Sequence, residues 1–292
     1  MKRNIYSHVL KVSVVLFLMT TVFYSCEKEK SFFPETAKSI QNVVPNSELA
    51  YFAELGAYHN EILAYVGSHG DMTHFDREKR FYLAQEYTKS EHDWDEERTS
   101  GDIMMKAIDD RVVFSSFIED PYLKESVGGY LDDLSNLFFH LIDQAEKELV
   151  IEPADFNIKV DEIVEKVYRN EVVKVDTRTG MGNEYAFVVA ACFLAKSTYE
   201  YWFTAAIDEL SPWHLFLFDE SIDKKPGPIG RFFRRLWKGV KIAVYDTGGF
   251  IIGGTTGTLS GFENPDDDIK IGVSINLHNG IKLAGKWSGS VE

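Results

Sequence analysis

Six side chains able to bind a metal or move a proton crowd into HNEILAYVGSHGDMTHFD: His59, Glu61, His69, Asp71, His74 and Asp76. Imidazole and carboxylate are ligands for zinc and related divalent ions. The spacing argues against such a site. Paired helical ligands sit four residues apart, whereas His59 and Glu61 point about 200° apart on a helix, and Gly67 and Gly70 interrupt the segment before His74. No metal or other cofactor is expected, and His59 falls in an apolar stripe as a buried, hydrogen-bonded histidine. The carboxylate-rich EHDWDEERTSGD (91–102) lacks the glycine that a calcium loop needs at its sixth position, so it reads as a solvated acidic loop. No phosphate-binding loop, dinucleotide fingerprint or GxSxG is present. No residue is assigned a catalytic role.

The other chemistry belongs to cysteine. Lys2, Arg3 and Lys11 form a basic start, and Val12–Ser25 is an apolar run that ends at Cys26 in FYSC. That run is shorter than the about 20 apolar residues of a membrane span. Cleavage before Cys26 would make it a lipid-bearing N-terminus, and two acyl chains, at about 0.8 kcal/mol per buried methylene, anchor stably. The pattern resembles a lipoprotein signal, with Phe23 and Tyr24 bulkier than usual. CEKEK is similar to the charged segment that directs lipoproteins of Bacteroidota to the outer face of the outer membrane. The resemblance implies a lipid-anchored, surface-exposed protein whose partners include the membrane itself. Cys192, in AFVVAACFLA, is a small core residue, and with no other thiol in the chain no internal disulfide is expected once Cys26 is acylated.

Charge divides the chain. Residues 26–225 carry 20 Lys and Arg against 40 Asp and Glu, while residues 226–292 carry 8 against 6. An acidic body repels nucleic acid, which is excluded as a partner. The change falls at KKPGPIG (224–230), where prolines and glycines interrupt any helix. The layout is a signal peptide (1–25), a tether (26–46), an acidic helical domain (47–223) and a C-terminal part (224–292).

Apolar spacing predicts that the body is a helical bundle. With Ser47 as N-cap, one stripe runs through Leu49, Phe52, Gly56, His59, Leu63 and Val66, and a second through Tyr51, Leu55, Tyr58, Ile62 and Tyr65, leaving Glu48, Glu54 and Glu61 to water. A helix over 130–149 aligns Tyr130, Leu134, Leu137, Leu141, Ala145 and Leu149. Another after Pro153 aligns Val160, Ile163, Val164, Val167 and Val172, with its charges solvated. A helix from Asn183 towards Pro212 carries ten consecutive apolar residues, Ala186 to Ala195, so it is apolar all round there and belongs at the centre. Less regular helices are expected over 76–90 and 102–118. An acidic cleft bordered by Tyr58, Tyr65, Tyr199 and Trp202 would mark a small-ligand site.

HNEILAYV (59–66), KSTYEYW (196–202) and a glycine-rich stretch after a Trp resemble a group of Bacteroidota cell-envelope proteins. In that group an HNE-type helical domain precedes a glycine-rich, bacteriocin-like tail. The resemblance implies the envelope and no activity.

In the C-terminal part, IGRFFRRLWKGVKIAVY (229–245) is a basic amphipathic helix, with Arg231, Arg234, Arg235, Lys238 and Lys241 largely opposite the apolar face. It either docks on the acidic body or a partner, or lies on an anionic membrane with Phe232, Phe233 and Trp237 among the acyl chains. Gly249, Gly253, Gly257 and Gly261 follow at fourth positions, a pattern for close helix packing. Each interior glycine costs a helix about 1 kcal/mol relative to alanine, so this stretch is helical only if packed tightly and is otherwise a loop. Beyond Asp268 the period becomes two. A hairpin with an HNG loop (278–280) would pair Leu277 with Ile281, Ile275 with Leu283 and Ile271 with Trp287. The expected fold is mainly α, a helical bundle with a small C-terminal glycine-rich segment and β-hairpin. The expected role is binding of an unknown protein or small ligand at the cell surface; the alternative is a membrane-active, bacteriocin-like effector acting through its C-terminal region.

Overall fold

The computed structural model sets residues 39–292 apart as one compact unit, and within it the structure describes residues 40, 43–70, 77–89, 106–217, 228–256 and 275–290. Cys26, Gly257, Gly261 and the 91–102 loop lie outside the described residues. The fold is mainly α. Its helices are α1 (Asn46–His69), α2 (Arg77–Thr88), α3 (Pro121–Glu146), α4 (Pro153–Asn170), α5 (Glu184–Ile207), α6 (His214–Leu217), α7 (Pro228–Thr256) and α8 (Leu277–Ser290). Short strands β1 (Val175–Asp176), β2 (Met181–Gly182) and β3 (Ile275–Asn276) form one antiparallel sheet in that order.

Capping explains where several helices begin. The Asp120 carboxylate accepts from Leu123 N–H at 2.7 Å, with Pro121 opening α3, where its missing donor costs nothing. Asn183 accepts from Ala186 N–H at 3.0 Å, while its amide donates to Val172 O at 2.7 Å, tying α5 to the segment before β1. Ser47 does not cap α1. That helix begins at Asn46 after Pro45, without a side-chain cap.

Helix α5 occupies the centre, as its all-round apolar sequence requires: Ala186–Ala195 are all buried. Around it pack α1, α3, α4 and α7. Both stripes of α1 face protein, the first of them fully buried from Leu49 to Val66. The stripe on α3 stops short, because the helix ends at Glu146 and leaves Leu149 52% exposed. Val172 likewise lies beyond α4 and is 66% exposed. Not all the charges of α4 are solvated: Asp161 is buried and pairs with Lys196 of α5 at 2.6 Å. Where one helix was expected over 102–118, the described part holds a helical segment at 106–109 and a separate 3-10 helix at Phe114–Phe117.

The C-terminal hairpin is a correction. Residues 277–290 are the helix α8, so Leu277–Ile281 and Ile275–Leu283 are not cross-strand pairs, and HNG lies in the first turn. Asn276 caps that turn by accepting from Asn279 N–H at 3.1 Å. Among the described residues of that stretch only Ile275–Asn276 are extended, and they pair with β2. The basic helix and the glycine run are continuous, forming α7, which packs on α5 and α8. The glycine run up to Thr256 is therefore helical under tight packing. A Cβ on Gly253 would stand 2.8 Å from Leu283 Cβ, and one on Gly254 would stand 2.5 Å from the Phe187 ring.

Gly129 on α3 shows the opposite circumstance. It is exposed, and a Cβ there would meet nothing within 4 Å. Gly129→Ala is expected to stabilise the fold by about 1 kcal/mol through helix propensity alone, read as a raised urea midpoint at unchanged slope.

Candidate functional site

The most concentrated polar chemistry lies in the core, where α1, α5 and α7 meet. Asp246 of α7 is fully buried. Its Oδ2 accepts from the Thr198 hydroxyl and from Trp202 Nε1–H, the latter at 2.8 Å. His59 of α1, also fully buried, places Nε2 3.7 Å from the same oxygen. Asn60 fixes the imidazole: its amide nitrogen donates to Ser197 Oγ at 2.8 Å and Ser197 O at 3.2 Å, so its Oδ1 faces His59 Nδ1 at 3.3 Å. That contact puts a proton on Nδ1 and leaves Nε2, beside Asp246, to take up a second. Burial nevertheless holds the His59 pKa below its usual value, outweighing the carboxylate and Asn60, which both raise it.

The aromatic wall continues outward. Trp202 stands edge-on to Trp213 at 5.1 Å, and Trp213 Nε1–H donates to Tyr201 OH at 2.9 Å. Burial, with a smaller push from Asp246, raises the Tyr201 hydroxyl to about 12. Arg80 lies over the Phe216 ring at 4.7 Å and Lys286 over Phe81 at 5.3 Å, both cations being buried.

The arrangement is a buried polar junction rather than a nucleophilic triad. In a triad the imidazole stands between hydroxyl and carboxylate, whereas here Asp246 stands between Thr198 and His59. All three are buried, and the junction joins α1, α5 and α7.

His59 is thus the buried histidine expected from sequence, but its partners are not those nearby in the chain. His69 is exposed and stacks on Tyr65 at 4.2 Å. Asp71, His74 and Asp76 lie outside the described residues. Among the described residues no group of three or more His, Cys, Asp or Glu could hold a metal ion. Tyr58, Tyr65, Tyr199 and Trp202 do not border a common cleft. Tyr199 and Trp202 are core residues, while half-buried Tyr58 and Tyr65 meet Tyr87 of α2 on the surface. Cys192 is buried, which pushes its thiol up, away from nucleophilic use.

The basic face of α7 meets the body at several points. Arg235 Nη1 is 3.0 Å from His214 Nε2, Lys238 donates to Phe216 O at 3.1 Å, and Lys241 pairs with Asp109 at 2.5 Å. Phe232, Phe233 and Trp237 are half-buried and pack against the core. Arg231 is exposed and Arg234 half-buried. Among the described residues, no helix is long and apolar enough to cross a membrane.

Sequence reasoning missed Asp246, Thr198 and Trp202 as one unit. One signal was present: Asp246 is a lone acid between the basic amphipathic segment and the uncharged glycine-rich run, where a charge requires a buried partner or a solvent-facing turn. Compared with protein-family models, with curated proteins and with solved structures, the chain matches none.

Proposed function

We propose that this is a lipid-anchored protein of the cell envelope, held at the outer membrane through Cys26 and exposed at the cell surface. There its helical unit binds a protein or small ligand. The observation that supports this reading is the sequence of the N-terminus: a basic start, an apolar run of signal length ending at Cys26, and the polar CEKEK beyond it. Binding is favoured over catalysis by the closed core, in which the His59–Asp246 junction has no exposed atom to offer a substrate. It is favoured over membrane disruption by the engagement of Arg235, Lys238 and Lys241 with the body.

Growth with an alkyne-bearing fatty acid tests the anchor. The wild-type chain should carry the label and sediment with membranes, and Cys26→Ala should lose both properties. Label that persists in the variant would refute acylation at Cys26. Protease added to intact cells should digest the wild-type helical unit if it faces outward, and protection would place it inside. Protein from residue 27 onward should leave anionic vesicles intact. Leakage that disappears when Arg231, Arg234, Arg235 and Lys238 are changed to Glu would establish the membrane-active alternative.

A further inference from the structure

The start of α8 is fastened at one small junction. Strand β3 pairs with β2, and Leu277 N–H donates to Gly180 O at 3.0 Å. Gly180 has φ +73, a left-handed conformation that favours glycine, and a Cβ there would stand 2.8 Å from the His278 ring. His278, second residue of α8, thus lies flat on the β1–β2 turn, and its Nε2 is 3.4 Å from Tyr51 OH of α1. Beyond this junction α8 packs on α1, α2 and α7 through small residues and the buried Lys286.

We propose that this junction is a pH-sensitive latch: neutral His278 fastens α8 to the β1–β2 turn and to α1, and protonation of His278 releases it. The groups facing His278 leave a proton poorly accommodated. From α1 comes Tyr51, whose hydroxyl is pushed up to about 12 by burial and then by Asp176, so it stays neutral beside Nε2. In the β1–β2 turn Asp176, drawn down by Arg178 N–H and the Thr179 hydroxyl, has its charge answered by Arg178 at 3.6 Å. From α8 itself comes Lys282, four residues on. A protonated ring would set a cation at the positive end of the helix dipole and face a like charge at i+4. Burial, then Lys282, lowers the His278 pKa from 6.5. The sign follows: above pH 6.5 the latch is at full strength, and as pH falls the released state takes the proton first.

Amide hydrogen exchange of residues 277–286, corrected for intrinsic rates and followed from about pH 7.5 to 5, tests the latch. Below pH 6.5, α8 protection should fall by up to about tenfold per pH unit, the limit for one proton, while α3 keeps its own. A dye that reports exposed apolar surface should gain signal over the same range. Lys282→Ala, which lets the latched ring hold a proton more readily, should shrink the loss below pH 6.5, and His278→Gln should remove it. Constant α8 protection in the wild type, an equal fall in His278→Gln, or loss from α8 and α3 together would overturn the proposal. If His278→Gln does not fold, an undiminished loss of protection in Lys282→Ala overturns it.

Discussion

Asp246→Ala is expected to lower the unfolding free energy by about 3–5 kcal/mol, the range for removing one partner from a buried charged network. The cost comes from what remains. Thr198 and Trp202 are fully buried donors that share Asp246 Oδ2 as acceptor, and the truncated side chain leaves them facing a void. Asp246→Asn, which retains a carbonyl oxygen at the same reach, should cost less. Urea unfolding with an unchanged slope would attribute the loss to the native state. A wild-type midpoint for Asp246→Ala would mean that Thr198 and Trp202 find other acceptors and that the junction is dispensable.

The same junction gives stability a pH dependence. Burial lowers the His59 pKa from 6.5 in the folded chain, so the unfolded chain binds the proton first as the medium becomes acidic. The contribution of neutral His59 is complete above pH 6.5 and declines below it. Removing Asp246 removes a term that raises this pKa, so the acid sensitivity of the alanine variant should persist. Replacing His59 by Gln should remove its share.

The body of the fold was legible because burial and period agree there. Ala186–Ala195 admits no solvent face, and the α1 stripe keeps one spacing for six residues, so only a central helix and a core-facing helix satisfy them. The end of the chain was ambiguous, because Leu277 and Ile281 belong both to a period-two set and to the helical set 277, 280, 281 and 284. What decides between them is not local: Asn276 caps the helix, and Gly280 permits a close approach to α7 that no strand spacing reveals. The candidate site divides in the same way. The burial of His59 followed from its stripe, but its partners on α5 and α7 meet it only through the tertiary packing of three helices.

Gly280→Ala separates helix propensity from that packing. Alanine should favour the isolated α8 by about 1 kcal/mol. In the folded protein its Cβ would stand 2.7 Å from the Phe250 ring and 2.9 Å from the Phe250 carbonyl oxygen. The ring could turn only against Phe187, on which it stacks at 5.2 Å, and the carbonyl belongs to the backbone of α7. Overpacking of this kind typically costs about 1–3 kcal/mol, with the upper end expected because a fixed backbone atom is among the contacts. The sign is therefore opposite to that of Gly129→Ala, although both substitutions fall within helices. Two urea curves, one for each variant, test the distinction. If Gly280→Ala also stabilises, α8 sits farther from α7 than the glycine contact requires, and propensity rather than close approach governs this part of the fold.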